Sequence, residues 1–128
     1  MEGFHGSISY VGCQTVVQSG QSNVLRCRNW VDKDGNPSSG YAHGIGFSVA
    51  FQDGPRGKDD NGTLQPANGA FVEDLLTAAM QRLAFFQNSR FNCSENAEAI
   101  EHINKALQAL NRRASGRAQR GVLGSNQT

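Results

Sequence analysis

Two apolar stripes dominate the C-terminal half of the chain. Val72, Leu76, Ala79, Leu83 and Phe86 recur at steps of four and three, as do Ile100, Ile103, Leu107, Leu110 and Ala114. That period lines one face of an α-helix. The spacing predicts helices over residues 70–88 and 93–119. The connector between them, NSRFNC, is short, so the two helices should pack antiparallel as a hairpin. Asn92 with Glu95 three residues on fits a capping-box start, and Gly121 is placed to stop the helix. The second helix is the longer and should overhang its partner.

The N-terminal half has a period of two instead. Strands are expected over residues 7–17, 23–31 and 44–52. In the last, Ile45, Phe47, Val49 and Phe51 alternate with Gly46, Ser48, Ala50 and Gln52, giving one large apolar face. Asp32 to Gly40 reads as a connection dense in turn residues. Residues 53–69, rich in Gly, Asp, Asn and Pro, read as a long surface loop, a kind often functional. The fold class is therefore α+β, an N-terminal antiparallel sheet followed by a C-terminal antiparallel two-helix hairpin. One domain is expected over residues 1–128, with a sheet part (1–55), a loop (56–69) and the helical hairpin and tail (70–128). So small a sheet and two helices bury limited apolar surface, and a symmetric oligomer would cover the rest.

Composition narrows the chemistry. A net charge of +1 on 128 residues is not that of a module coating long nucleic acid. No run of eighteen apolar residues is present and the first residues lack a secretion pattern, so neither a membrane nor an export route is expected. Cys13, Cys27 and Cys93 are odd in number and widely spaced, which fits reduced thiols better than a disulfide framework. His5, His43 and His102 are scattered, and no zinc spacing occurs. DKDG at residues 32–35 fails the calcium-loop pattern, with Pro37 and His43 where Gly and Glu are needed. GYAHGIG lacks the order of a dinucleotide fingerprint, and no phosphate-binding P-loop appears. No catalytic residue, metal site or cofactor is therefore assigned. A cyclic-nucleotide hydrolase using His43 or His102, and a purely structural or interaction module, are the rival readings.

The basic residues gather at one end. Residues 90–121 hold Arg90, Lys105, Arg112, Arg113, Arg117 and Arg120; Arg90 lies in the connector, and the others follow Glu95, Glu98 and Glu101, which sit in the first turns of the second helix. Two readings stand. Acids at the start and bases at the end compensate the helix dipole, at a few tenths of a kcal/mol each. Alternatively Arg113, Arg117 and Arg120, spaced i, i+4, i+7, share a face on the overhang and grip phosphates. Phe86 continues the apolar stripe and Phe85 lies one step off it; either core packing or stacking on a base would suit them. Asn96 is open to a local backbone bond or to the edge of an adenine or a ribose hydroxyl.

These residues sit within a wider resemblance. GIGFSVAFQDGP, NGAFVEDLL, RLAFFQNSRFNCSENAEAI and ALQALNRRASGRAQRGVLG resemble the phage anti-Thoeris sponge proteins, the first Thoeris anti-defence class. Their helical hairpin is shared with the phage anti-CBASS cyclic-nucleotide sponge. The resemblance implies a non-enzymatic, hexameric trap in the host cytoplasm that sequesters a cyclic ADP-ribose isomer, with cyclic dinucleotides or trinucleotides as further ligands. By motif position, Phe86 would stack on a base, Asn96 would shape the same pocket, and Arg113 and Arg117 would contact the pyrophosphate or base. Asn68 and Gly69 match a family turn near the pocket. Phe85, Arg120, Gly121 and Gly124 are secondary candidates. Ser94 replaces an arginine in the usual connector, and Leu123 replaces an acid in the tail, which puts a trinucleotide pocket built from that tail in doubt.

Overall fold

The computed structural model describes residues 6–8 and 25–128. These form an α+β fold of two compact units, one holding the strands, the loop to Ala70 and the last residues Gly124–Thr128, the other Phe71–Leu123.

The first unit is an antiparallel meander. Strands β1 (Gly6–Ile8), β2 (Arg26–Val31), β3 (Pro37–Gly44) and β4 (Phe47–Ala50) lie in the order β1-β2-β3-β4. The strand expected over 23–31 is β2. Of that expected over 7–17, Ser7 and Ile8 fall in β1, and the rest lies outside the described residues.

β3 corrects the reading of Asp32 to Gly40 as a connection. Only its first half turns: the Asp32 carboxylate accepts the N–H groups of Asp34 and Asn36 at 2.9 and 3.0 Å, and Gly35 takes a φ of 83°. Pro37 then begins a strand, a position where its missing N–H is tolerated. At Gly40 a Cβ would lie 2.7 Å from the Arg28 carbonyl oxygen, so glycine here permits close strand pairing next to a slip in register.

The expected strand over 44–52 is also divided. Gly44 ends β3, Ile45 and Gly46 make the turn, and Gly44 pairs with Phe47. Ile45 is 85% exposed at that tip and Phe47 is exposed as well, while Val49 and Phe51 are half-buried, so the four do not form one buried face. The sheet's inner side is marked instead by Cys27, Ala42 and Val49, paired across three strands, with Ala42 buried. The loop beyond is ordered by its own bonds. Lys58 bridges Leu64, and the Asp59 carboxylate accepts the N–H groups of Asn61 and Thr63.

The second unit contains α1 (Val72–Gln87) and α2 (Ser94–Gln119), which pack against each other within two residues of the predicted limits. Gln87 closes the connector by bonding both the N–H and the carbonyl of Cys93. Asp74 returns its carboxylate to the Phe71 N–H at 2.8 Å and so caps α1. The cap of α2 is Cys93, not Asn92. The Cys93 sulfur accepts the Asn96 N–H at 3.4 Å, while the Asn92 amide is used on the Ser89 carbonyl. The C-terminus closes as a Schellman motif, with Val122 N–H to Arg117 carbonyl at 3.0 Å and Gly121 N–H to Ala118 carbonyl at 3.1 Å. Gly121 carries the required left-handed φ of 74°.

Burial in the hairpin is incomplete. No residue of α1 is buried and only Arg117 is in α2. Leu76, Leu83, Ile100, Ile103, Leu107 and Leu110 are half-buried, while Val72, Ala79 and Phe86 of the same stripe are exposed. Gly121→Ala should lower the stability of the chain by about 1 kcal/mol, because alanine must adopt the left-handed conformation there. Chemical denaturation of the two proteins side by side checks this.

Candidate functional site

α2 is one continuous helix of 26 residues, and this decides how the candidate residues are distributed. Asn96 lies in its first turn and Arg113 seventeen positions further on, so about 25 Å of helix separates them at 1.5 Å per residue. Phe86 is at the end of α1, next to Gln87, which is bonded to Cys93 at the start of α2. The structure thus brings Phe86 and Asn96 to the connector end of the hairpin and leaves Arg113, Arg117 and Arg120 at the other end.

The connector end is rich in accessible aromatic surface. Phe85 is 63% exposed and Phe86 36%, with ring centroids 5.8 Å apart in an edge-to-face arrangement. The Arg82 guanidinium lies 5.3 Å from the Phe85 ring and 5.1 Å from Phe86. Arg90 sits 4.7 Å over Phe91, itself exposed. Cation–π contacts at exposed sites are worth about 0.5–1 kcal/mol and hold a guanidinium beside a ring face. A planar base with an attached phosphate finds both partners in such a pair. The Asn96 backbone N–H is taken up by the Cys93 cap, and its half-buried side-chain amide makes no hydrogen bond among the described residues. Arg82 escaped the sequence reading because it lies outside the C-terminal basic cluster; its place one turn before Phe86 was the available signal.

At the far end the three arginines differ. Arg113 and Arg120 are exposed, but Arg117 is only 9% exposed, and its Nη2 donates to the Val122 carbonyl at 3.0 Å. Together with the Val122 N–H to Arg117 carbonyl bond, this fastens the tail at both groups of Val122. Arg117 therefore has a structural task in the chain itself. The i, i+4, i+7 spacing put the three on one face, and the tail folding back over that face separates their environments.

Asn68, Gly69 and Gly124 belong to the first unit. The Asn68 side-chain oxygen accepts the Asp53 N–H at 2.9 Å, and its own N–H donates to Gln52 at 2.8 Å. A Cβ on Gly69 would fall 2.5 Å from the Phe51 carbonyl carbon. The pair ties the loop back to the chain leaving β4. Gly124 takes a φ of 82° and accepts the Gly57 N–H.

The histidines of the hydrolase reading lie in different settings. His102 faces Glu98 at 3.5 Å, both well exposed, and His43 is stacked on Tyr41. No group of three or more His, Cys, Asp or Glu side chains is arranged to hold a metal among the described residues. Among the described residues, no helix is long and apolar enough to cross a membrane.

Comparison with known proteins places this hairpin. A family model described as Acb2/Tad1, hairpin domain, matches residues 45–115. That span includes Asn68, Gly69, Phe85, Phe86, Asn96 and Arg113, and stops short of Arg117 and the tail. The protein named Thoeris anti-defense 1 from Bacillus phage SBSphiJ7 is 46% identical over 80 residues, 62% of this chain and 52% of the relative. The chain thus spans about half the length of that curated relative.

Arg117→Ala should cost about 1–3 kcal/mol, the range for stranding a hydrogen-bonded carbonyl when its charged donor is removed. Arg113→Ala, at an exposed position, should change stability by less than about 0.5 kcal/mol. Thermal or denaturant unfolding distinguishes the two.

Proposed function

The chain belongs to the Acb2/Tad1 hairpin family, and from that premise we propose that it serves a phage against bacterial defence by binding and sequestering a cyclic nucleotide signal without turning it over. The ligand in this reading is a cyclic ADP-ribose isomer, with cyclic dinucleotides or trinucleotides as further candidates, and the place of action is the host cytoplasm. Phe86 stacks on the base, Asn96 offers its amide to the base edge or a ribose hydroxyl, and Arg113 with Arg117 meets the pyrophosphate. Asn68, Gly69, Phe85, Arg120, Gly121 and Gly124 are secondary.

The observation that carries this reading is the distribution of recognition groups along the hairpin. A ring and an amide lie at one end, guanidinium groups at the other, and about 25 Å of helix with a half-buried apolar stripe separates them. One small ligand does not span that distance. Two hairpins laid side by side in opposite directions put the Phe86 end of one against the Arg113 end of the other and cover the stripes between them. The oligomer, a hexamer in this reading, is thereby part of the site. Sequestration asks only for affinity and copy number, so no general acid or base is assigned.

The chain is to be incubated with the product of a defence TIR enzyme, separated from free ligand and denatured. Release of an intact cyclic ADP-ribose isomer is the expected result; release of a hydrolysed product would establish the hydrolase alternative. A ligand at about one hundred times its dissociation constant should add roughly 2.7 kcal/mol to stability. Absence of a thermal shift across a cyclic-nucleotide panel would favour a structural module. Phe86→Ala and Arg113→Glu should each abolish binding while native mass spectrometry still reports the parent oligomer.

A further inference from the structure

The sheet unit carries a basic and aromatic surface of its own. Directly paired residues of antiparallel strands share a face. Arg26 pairs with His43, Arg28 with Tyr41, and on β4 Ser48 pairs with His43 and Ala50 with Tyr41. Cys27, Ala42 and Val49 project to the opposite, inner side. On the outer face, the Tyr41 and His43 rings stack with centroids 4.9 Å apart and planes at 21°. Trp30 extends the row, its ring 5.6 Å from Tyr41. Arg26, Arg28 and His43 are exposed, and neither arginine has a hydrogen bond or ion pair among the described residues. No carboxylate stands at any of these paired positions on β2, β3 and β4.

We propose that this face binds a short single-stranded nucleic acid, a base stacking on the outer face of the exposed His43 ring that ends the Trp30–Tyr41–His43 row and its phosphates held by Arg26 and Arg28. Rings in a row beside guanidinium groups form the platform that single strands use, because unpaired bases expose their faces and the backbone supplies the charge. The two arginines, two positions apart on β2, are about 7 Å from each other along the strand. That spacing engages successive phosphates of an extended strand rather than one phosphate of a mononucleotide. A duplex would meet the arginines but has its base faces covered. An acidic protein segment would leave the rings without a partner.

The test uses the full chain and a fluorescein-labelled oligodeoxynucleotide of about ten nucleotides, within the usual footprint of such platforms. Anisotropy at low salt should show binding. The logarithm of the affinity should fall against the logarithm of salt with a slope near −1.4, the value for about two phosphates neutralised on a single strand. Arg26→Glu with Arg28→Glu should weaken binding by about tenfold or more and flatten that slope. His43→Ala should weaken it roughly fivefold or more and leave the slope alone. Circular dichroism melts establish that the variants fold. The proposal is overturned if the parent chain binds no oligonucleotide at low salt. It also fails if duplex of the same length binds equally well, or if Arg113→Glu removes binding while the double sheet variant retains it. A changed oligomer mass in the double variant would identify the face as a contact between copies and overturn it too.

Discussion

The unequal length of the two helices governs most of what the hairpin does. α1 offers 16 residues and α2 has 26, so about ten residues, roughly 15 Å of helix, extend past the partner. An isolated overhang of that kind has no face against which to bury its stripe, and helices gain most of their stability from such burial. Here the chain turns back on itself. The Schellman closure at Gly121 reverses the backbone, and the buried Arg117 guanidinium takes the Val122 carbonyl. The same rigid rod holds the connector residues and the terminal arginines apart, which is why the hairpin has two chemically distinct ends.

Incomplete burial is the second consequence. Apolar stabilisation scales with the area removed from water, at about 25 cal/mol per Å². Half-buried stripes of Leu and Ile with exposed Val72, Phe85, Phe86 and Phe91 leave much of that stabilisation unrealised in one copy. Scattered exposed apolar residues are ordinary on soluble proteins, but a helical stripe with no fully buried member is not. Among the described residues, Ala42 of the sheet is the one buried hydrophobic. Under the proposed function, association of copies would cover this stripe.

The helices were legible in the sequence because their stripes run for four or more turns without a competing pattern. Leu76, Leu83, Ile103 and Leu107 recur at helical spacing however the tertiary contacts fall. The strands were less so. Pro37, Ser38, Ser39 and Gly40 are all turn formers by composition, yet they open the longest strand of the sheet. Their use depends on register: Gly40 is needed because the Arg28 carbonyl passes where a side chain would stand, and that is a long-range fact. Ile45 misled in the opposite direction, since alternation with Phe47 and Val49 cannot distinguish a strand residue from the tip of a two-residue turn. At the connector, Asn92 had the better capping side chain, but Gln87 holds the Cys93 backbone in place and the thiol accepts the bond.

The arginine cluster was half legible for a related reason. Spacing along α2 correctly placed Arg113, Arg117 and Arg120 near each other, but helical periodicity does not know that the chain returns over the same face. Burial and a bond to Val122 set Arg117 apart from its exposed neighbours. Neither of the first two readings, dipole compensation or phosphate contact, includes that bond. A buried arginine held this way is already ordered and partly desolvated. Less rotamer entropy remains to be lost when an anion arrives, and the interaction is screened less by salt than at an exposed Lys or Arg. The bond to Val122 thus fixes this side chain in one geometry within the hairpin itself, independently of any ligand.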